Sequence, residues 1–146
     1  MDKSNSSNIQ SGAGLAAKRT GLGLGYFSLA LGAIEVAAPG RLARWLGLEG
    51  SKTARNTLIA FGIREIAAGG MLLRGPAVST NVWNRVIGDA IDAGALGIAM
   101  RSSTRKGAVA GAMAFVGGAM LADVLTARAL DRDTGRTFPV SARGAA

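Results

Sequence analysis

Seven ionisable side chains lie inside stretches of this sequence that are otherwise apolar, and they are the residues best placed to do chemistry. The stretch FGIREIAAGG, residues 61–70, sets a cation and an anion side by side among small and apolar residues. The seven residues are Glu35, Arg64, Glu65, Arg85, Asp89, Asp92 and Asp123. An ionised side chain at the centre of a bilayer costs about 2.5–3.5 kcal/mol, so such charges in membrane-spanning helices must pair, become protonated or reach water.

The spacing of these residues would bring opposite charges together in a helical bundle. Arg85, Asp89 and Asp92 follow one another at i, i+4 and i+7, so they share one face of a helix. With a rise of about 1.5 Å per residue, Arg64, Glu65 and Asp89 all lie within about 2 Å of the middle of their spans. The sequence therefore predicts a buried network of ion pairs between neighbouring helices.

We expect two arginine-centred contacts in this network, each with an alternative. They are Arg64 with Asp89 or Asp92, and Arg85 with Glu65 or Asp123. Five carboxylates accompany two arginines, and a carboxylate without a cation must be protonated or hydrated. The network would therefore either fix the register of the helices or line a proton path or polar ligand site. Glu35 lies near the end of its apolar run, where it could reach the lipid headgroups.

Four apolar runs of about 18–22 residues position these side chains, and each is long enough to cross a hydrocarbon core of about 30 Å as a helix. They cover residues 21–38, 55–74, 79–100 and 107–127. The chain is 49% hydrophobic, and residues 107–122 carry no charged side chain, whereas a surface helix of a soluble bundle shows a polar face. We therefore predict an all-α fold, a bundle of four transmembrane helices, rather than a soluble bundle.

The segments outside the four runs have a different composition. Residues 1–20 are rich in Ser, Asn and Gly and are expected to form a disordered polar tail, and residues 128–146 a polar basic tail. The four-helix membrane domain then covers residues 21–127. Between the first two runs, Arg41, Arg44 and Trp45 alternate with leucines, which predicts a short amphipathic helix at the membrane interface.

Glycines recur at helical spacing in the first and last runs. The candidates for helix packing are Gly21, Gly25, Gly32, Gly107, Gly111 and Gly118. Small residues at such spacing let two helix backbones approach closely. The pattern predicts close packing inside the bundle or, as the alternative, a contact between copies of the chain.

The composition excludes several kinds of chemistry. The chain has no Cys and no His, which removes disulfides, thiol catalysis and the usual zinc and haem ligands, so no metal and no cofactor is expected. The net charge is +8, but the basic residues lie between apolar runs, so anionic lipid headgroups rather than nucleic acid are the expected counter-charge. Basic residues flank the spans almost equally on both sides; the small difference favours termini in the cytoplasm.

The segments FGIREIAAG (61–69) and WNRVIGDAIDAGALG (83–97) resemble a four-helix membrane module that precedes the soluble lipid-binding-like domain of bacterial cyclase/dehydrase proteins. The stretch LGAIEVAAPGRLARWLGL (31–48) is similar to the first helix and amphipathic connection of that module. The resemblance implies a membrane module without cyclase activity, because the catalytic label belongs to the soluble domain. A looser similarity connects the chain to small DoxX-like four-helix membrane proteins.

Together these observations predict a multi-pass protein of the bacterial cytoplasmic (inner) membrane that works without catalysis, as a scaffold or accessory subunit. Its expected partners are anionic lipids and either further copies of itself or a larger membrane complex. The alternative function is a small proton-relay or solute transport protein that uses the buried acids. A lipid-modifying enzyme is a third possibility, but the sequence contains no visible nucleophile–base pair or set of metal ligands to support it.

Overall fold

The computed structural model describes the backbone of residues 3–74 and 78–134 and the side chains of residues 19–74 and 79–132. Within these ranges the protein is all-helical and contains no strand. The helices are α1 (Lys3–Ala37), α2 (Pro39–Trp45), α3 (Lys52–Arg74), α4 (Val78–Ser102) and α5 (Lys106–Thr134). Four long helices and one short connecting helix therefore form the predicted all-α bundle.

Three of the long helices contain segments long and apolar enough to cross a membrane. These segments are Arg19–Ala37, Lys52–Arg74 and Lys106–Arg132. Helix α4 has 25 residues, which is long enough, but it carries three ionisable side chains in its central part. Among the described residues, three segments are therefore apolar enough to span, and the predicted fourth transmembrane helix is not confirmed.

The distribution of polar and apolar side chains is the reverse of that in a water-soluble bundle. Ile98 is 70% exposed and Tyr26 67% exposed, and Leu121 and Leu125 also project from the outer surface. In contrast, Asp123 is 0% exposed. Apolar residues on the outside and ions on the inside are the arrangement expected of helices that are surrounded by lipid.

Helices α1 and α3 run antiparallel and approach each other through glycines. A Cβ atom on Gly62 would lie 2.7 Å from the carbonyl oxygen of Gly32, and one on Gly69 would lie 2.7 Å from that of Gly25. A Cβ atom on Gly32 would lie 2.5 Å from the carbonyl oxygen of Gly62, so no side chain fits at Gly32, Gly62 or Gly69 without moving the facing backbone. This contact fixes the depth of α3 relative to α1.

Helices α4 and α5 form the second antiparallel pair, and an apolar cluster joins the two pairs at the end remote from α2. Leu72 of α3, Val82 of α4, and Ala127 and Leu130 of α5 are all nearly fully buried in this cluster. At the opposite end, the hydroxyl of Ser103 donates to the carbonyl of Leu46 over 2.6 Å. Helix α4 therefore runs along the bundle from the remote end back to the end that holds α2.

The short helix α2 has clear start and stop signals. Pro39 occupies its first turn, where the missing N–H costs nothing. Gly47 follows the helix with a φ of 69°. The N–H of Leu48 donates to the carbonyl of Ala43 over 2.8 Å and that of Gly47 to Arg44 over 3.0 Å, as in a Schellman cap. The backbone then turns at once toward α3, whose N-terminus is capped by the hydroxyl of Ser51.

The predicted tails differ from the structure at both ends. Helix α1 begins at Lys3, so residues 3–20 are helical, whereas a disordered tail was predicted. Once a long helix has formed, each further residue adds a hydrogen bond without a new nucleation cost, so polar residues can extend it. Residues 1–2 lie outside the described residues.

At the other end, α5 continues to Thr134, seven residues beyond the predicted end of the membrane domain at residue 127. Leu130 belongs to the apolar cluster, and Asp131 accepts hydrogen bonds from the hydroxyl of Ser79 and, over 2.9 Å, from the indole N–H of Trp83. The start of the predicted basic tail is therefore packed against α4, because one apolar face of α5 continues past residue 127. The remainder of that tail, residues 135–146, lies outside the described residues.

Candidate functional site

The centre of the bundle contains a chain of alternating acids and arginines. Its order in space is Asp92, Arg64, Glu65, Arg85 and Asp123. The nitrogen–oxygen distances are 2.8 Å for Arg64–Asp92, 2.7 Å for Arg64–Glu65, 2.8 Å for Arg85–Glu65 and 2.9 Å for Arg85–Asp123. Helices α3, α4 and α5 are thus joined through a single polar chain.

Arg64 is held on three sides. Its Nη1 and Nη2 atoms donate to the two carboxylate oxygens of Asp92 over 3.0 Å and 2.8 Å, a bidentate pair. Nη1 also donates to the carbonyl of Gly88 over 2.9 Å, and the guanidinium lies 5.4 Å from the ring centre of Phe61. A Cβ atom on Gly88 would lie 2.7 Å from Cζ of Arg64, so this glycine provides the space for the guanidinium.

Arg85 is buried more deeply than Arg64. Its side chain is 1% exposed, against 28% for that of Arg64. Its Nη1 atom donates to the hydroxyl of Ser28 on α1, and that hydroxyl donates to Oε2 of Glu65. Glu65 therefore receives donors from both arginines and from α1, which makes it the central member of the chain.

Two further acids adjoin this chain without bonding to either arginine. Asp89 is 5% exposed, and its carboxyl group faces that of Asp123. One oxygen of each, Oδ2 of Asp89 and Oδ1 of Asp123, is buried without a donor among the described residues. Oε2 of Glu35 is in the same condition. The facing carboxyl groups of Asp89 and Asp123 repel each other when both are ionised, so these two acids need a shared proton or a cation between them.

A cavity of about 520 Å³ reaches the acids from the end of the bundle that holds α2. Its floor is formed by Glu65, Arg85, Asp89 and Asp92, and Glu35 lies in its wall. The rest of the wall is mostly apolar, with contributions from all five helices. The volume lies within the range of about 300–1,000 Å³ that is usual for small-molecule sites. The geometry therefore joins an apolar chamber to a set of buried carboxylates.

The structure brings the predicted network residues together and resolves the alternatives left open above. Arg64 bonds to Asp92 and not to Asp89. Arg85 bonds to both of its expected partners, Glu65 and Asp123, because its fork of donors can serve two carboxylates. Glu35 lines the cavity, whereas its place near the end of the first apolar run predicted that it would reach the headgroups.

The other predicted residues have divergent positions. Gly25 and Gly32 pack against α3, and Gly21 is buried. A Cβ atom on Gly107, Gly111 or Gly118 would meet nothing within 4 Å, so the close internal packing predicted for the α5 glycines is wrong. Arg41 and Arg44 are exposed on α2, and the half-exposed ring of Trp45 lines the cavity.

Several residues of the site were not predicted from the sequence. Ser28 and Gly88 make contacts with the arginines that depend on which helices are neighbours. Gly62 and Gly69 repeat the seven-residue spacing of Gly25 and Gly32, and this signal was available in the sequence. The cavity had no sequence signal, because it arises from the separation of the two helix pairs.

Carboxylate oxygens of Glu65, Asp89 and Asp92 lie within 4.8 Å of one another, a spacing at which one cation could contact all three. No family model, curated protein or solved structure matches this chain.

Proposed function

We propose that this protein spans the membrane four times and acts as a small transport protein, in which the buried acids relay protons and the cavity admits a solute. The observation that carries the proposal is the position of Asp89. This acid is almost fully buried, lies on the cavity floor and has an oxygen that no donor among the described residues satisfies. Such a group can gain and lose a proton or a ligand without any salt bridge being broken.

The fourth span is supported by the path of the chain. Helix α3 ends beside the start of α4 at the remote end, where the side chain of Asn81 donates to the carbonyl of Met71. Helix α5 begins at the α2 end, where the N–H of Thr104 donates to the carbonyl of Gly47 over 3.2 Å. If α3 and α5 cross the membrane, α4 must cross it between them. Its charges then face partners on α3 and α5 rather than lipid.

The two arginines support a division of roles among the acids. They hold Glu65, Asp92 and Asp123 in a fixed arrangement. Asp89 and Glu35 are left beside the cavity without a bond to either arginine. Removal of an acid from the fixed chain should therefore damage folding, whereas removal of Asp89 should damage function first.

Purified protein in liposomes that contain a pH-sensitive dye would test this function. An imposed potential should drive proton movement faster in protein-containing liposomes than in empty ones. Asp89→Asn should abolish the difference, because it keeps the shape of the side chain and removes the proton site. Glu49→Gln is the matched control, since Glu49 is an exposed acid in the loop after α2.

The outcomes are distinct because accumulation of each variant in the membrane is measured beside the flux. Loss of flux in Asp89→Asn, with normal accumulation and with flux retained in Glu49→Gln, supports the transport function. A wild-type flux equal to that of empty liposomes overturns it. Flux that is unchanged in Asp89→Asn overturns the role of this residue.

One observation favours a second function, that of an accessory subunit. Gly107 and Gly118 of α5 are exposed, and a Cβ atom on either would meet no other part of the described chain within 4 Å, whereas Gly111 lines the cavity. Small residues on an outer face suit a tight contact with another helix. Extraction in mild detergent should recover a stoichiometric partner or a dimer if this face is an interface, and Gly118→Leu should release it. A monomer without a partner contradicts this function.

The setting that we propose is the bacterial cytoplasmic membrane, with cytoplasmic termini and with exposed arginines of α2 at anionic headgroups. The similarity of residues 31–48, 61–69 and 83–97 to the membrane module of cyclase/dehydrase proteins supports that setting. No catalytic role is proposed, because the acids are engaged by arginines or by each other rather than paired with a nucleophile.

A further inference from the structure

We propose that the cavity takes a lipophilic organic cation, an amine or quaternary onium group carried on an apolar body. This inference rests on the proposed transport function and names the class of solute. It follows from three features of the cavity: the surplus of acid at its floor, two acceptor oxygens that have no donor among the described residues, and the apolar character of its walls.

The charge of the floor selects a cation. Four carboxyl groups, those of Glu35, Glu65, Asp89 and Asp92, line the cavity, a fifth on Asp123 lies behind Arg85, and only two arginines accompany the five. Both guanidinium groups are already bonded to carboxylates, Arg64 to Glu65 and Asp92, and Arg85 to Glu65 and Asp123. An entering anion would therefore meet like charge, whereas an entering cation would offset the surplus of acid.

The hydrogen-bonding state of the floor points the same way. Oδ2 of Asp89 and Oε2 of Glu35 are buried acceptors without donors among the described residues, and both residues line the cavity. A buried polar atom without a partner is destabilising, and more so if it is charged. An amine ligand would satisfy these oxygens by donating hydrogen bonds, and a quaternary onium ligand would offset their charge, whereas a ligand that only accepts hydrogen bonds would do neither.

The walls select an apolar body. Phe27, Phe61, Phe115 and Trp45 place aromatic side chains around the cavity, and the rings of Phe27 and Phe115 lie 5.8 Å apart. Aromatic faces attract organic cations, and their area would cover an apolar ligand. A bare metal ion would use the acids but leave the chamber above them unfilled, and a neutral lipid chain would use the chamber but leave the acids unmatched.

A pair of probes of equal shape and opposite charge separates these possibilities. Tetraphenylphosphonium is a lipophilic cation and tetraphenylborate is its anionic counterpart. Equilibrium dialysis of the protein in mild detergent, corrected for detergent alone, should show saturable binding of the phosphonium at about one per chain. Binding of the borate should stay at the level of the detergent control.

Asp89→Asn should weaken phosphonium binding roughly ten- to hundredfold, because it removes a carboxylate charge that faces the cation; each tenfold loss corresponds to about 1.4 kcal/mol. Glu49→Gln should leave it unchanged. Since Asp89→Asn could also perturb the fold, a second variant leaves all charges in place. Ala112→Phe puts a ring into the cavity from α5 and should abolish binding, whereas Ala114→Phe, on an exposed face of the same helix, should not.

Each result decides a separate question. Equal binding of both probes, or displacement of the phosphonium by millimolar sodium or magnesium alone, overturns the assignment of an organic cation. Phosphonium binding that survives both Asp89→Asn and Ala112→Phe places it outside this cavity and also overturns the assignment. Asp89-dependent binding without proton flux in liposomes leaves the cation site in place and rejects transport. Flux without phosphonium binding retains transport and rejects the cation.

Discussion

Gly69 and Gly70 are neighbours in α3, but substitution by alanine should have opposite effects at the two positions. A Cβ atom on Gly69 would lie 2.7 Å from the carbonyl oxygen of Gly25, where ordinary van der Waals contact begins at 3.4 Å. It would also meet the side chains of Leu29 and Ser28. A Cβ atom on Gly70 would meet nothing within 4 Å.

The magnitude follows from two terms. Alanine favours a helix over glycine by about 0.5–1 kcal/mol, and this gain applies to both variants. Gly69→Ala adds an overpacking cost of about 1–3 kcal/mol, because backbone rather than a flexible side chain must move. We therefore expect Gly70→Ala to be neutral or more stable than wild type, and Gly69→Ala to be less stable than Gly70→Ala by about 1–3 kcal/mol.

The assay is unfolding by sodium dodecyl sulfate in mixed micelles, followed by tryptophan fluorescence from Trp45 and Trp83. Both variants are measured in the same detergent, so differences in micelle composition cancel. Equal free energies of unfolding for Gly69→Ala and Gly70→Ala would refute the close approach of α1 and α3. Greater loss in Gly70→Ala would mean that the other face of α3 is the packed one.

Three further variants test the network and the α2 connection by the same unfolding assay. Glu65→Gln should cost about 1.5–3 kcal/mol, because Arg85 and the partly exposed Arg64 lose the carboxylate that they share, although each keeps a second one. Glu49→Gln should stay within about 0.5 kcal/mol of wild type, and similar values for both would contradict the central role of Glu65. Gly88→Ala should cost about 1–3 kcal/mol, because the added methyl group displaces the guanidinium of Arg64. In an Arg64→Ala background this cost should be smaller by at least about 0.5 kcal/mol. Additive effects of the two substitutions would show that the residues are not in contact. Gly47→Ala should cost at least about 1–2 kcal/mol from its positive φ alone, and a neutral result would exclude the Schellman turn.

The ion pairs could be anticipated because depth in a helix is countable. Arg64 and Glu65 sit at the middle of one apolar run and Asp89 at the middle of the next, and antiparallel helices align their centres. The choice between Asp89 and Asp92 for Arg64 could not be made in this way. The choice depends on the rotation of α4 about its axis and on the space beside Gly88. The guanidinium of Arg64 occupies that space and bonds to Asp92 rather than to Asp89.

Glycines at seven-residue spacing lead to a close approach of two helices only when small residues on the neighbouring helix lie opposite them. Gly25 and Gly32 share their seven-residue spacing with Gly111 and Gly118, yet only the first pair meets glycines on another helix of this chain. Helix ends were also missed, since hydropathy marks where a helix enters lipid and not where its hydrogen bonds stop. The cavity could not be predicted from the sequence, because its volume depends on the distance between helices and no local pattern of residues records that distance.

The adjacency of Arg64 and Glu65 has a consequence for how the chain is made. Their 2.7 Å contact lies within one helix, so α3 brings its two central charges into the bilayer as a neutral couple as soon as it emerges. Helix α4 follows in the order of synthesis with one cation and two anions in its central part, and it is not among the described helices that are apolar enough by composition to cross a membrane. Arg64 and Glu65 of α3, which pair with Asp92 and Arg85 of α4, are therefore already in the bilayer when α4 is made. We expect α4 to integrate efficiently only when α3 precedes it. If the α4–α5 pair is placed before the α1–α3 pair in the sequence, we expect a translocation assay to find α4 outside the membrane.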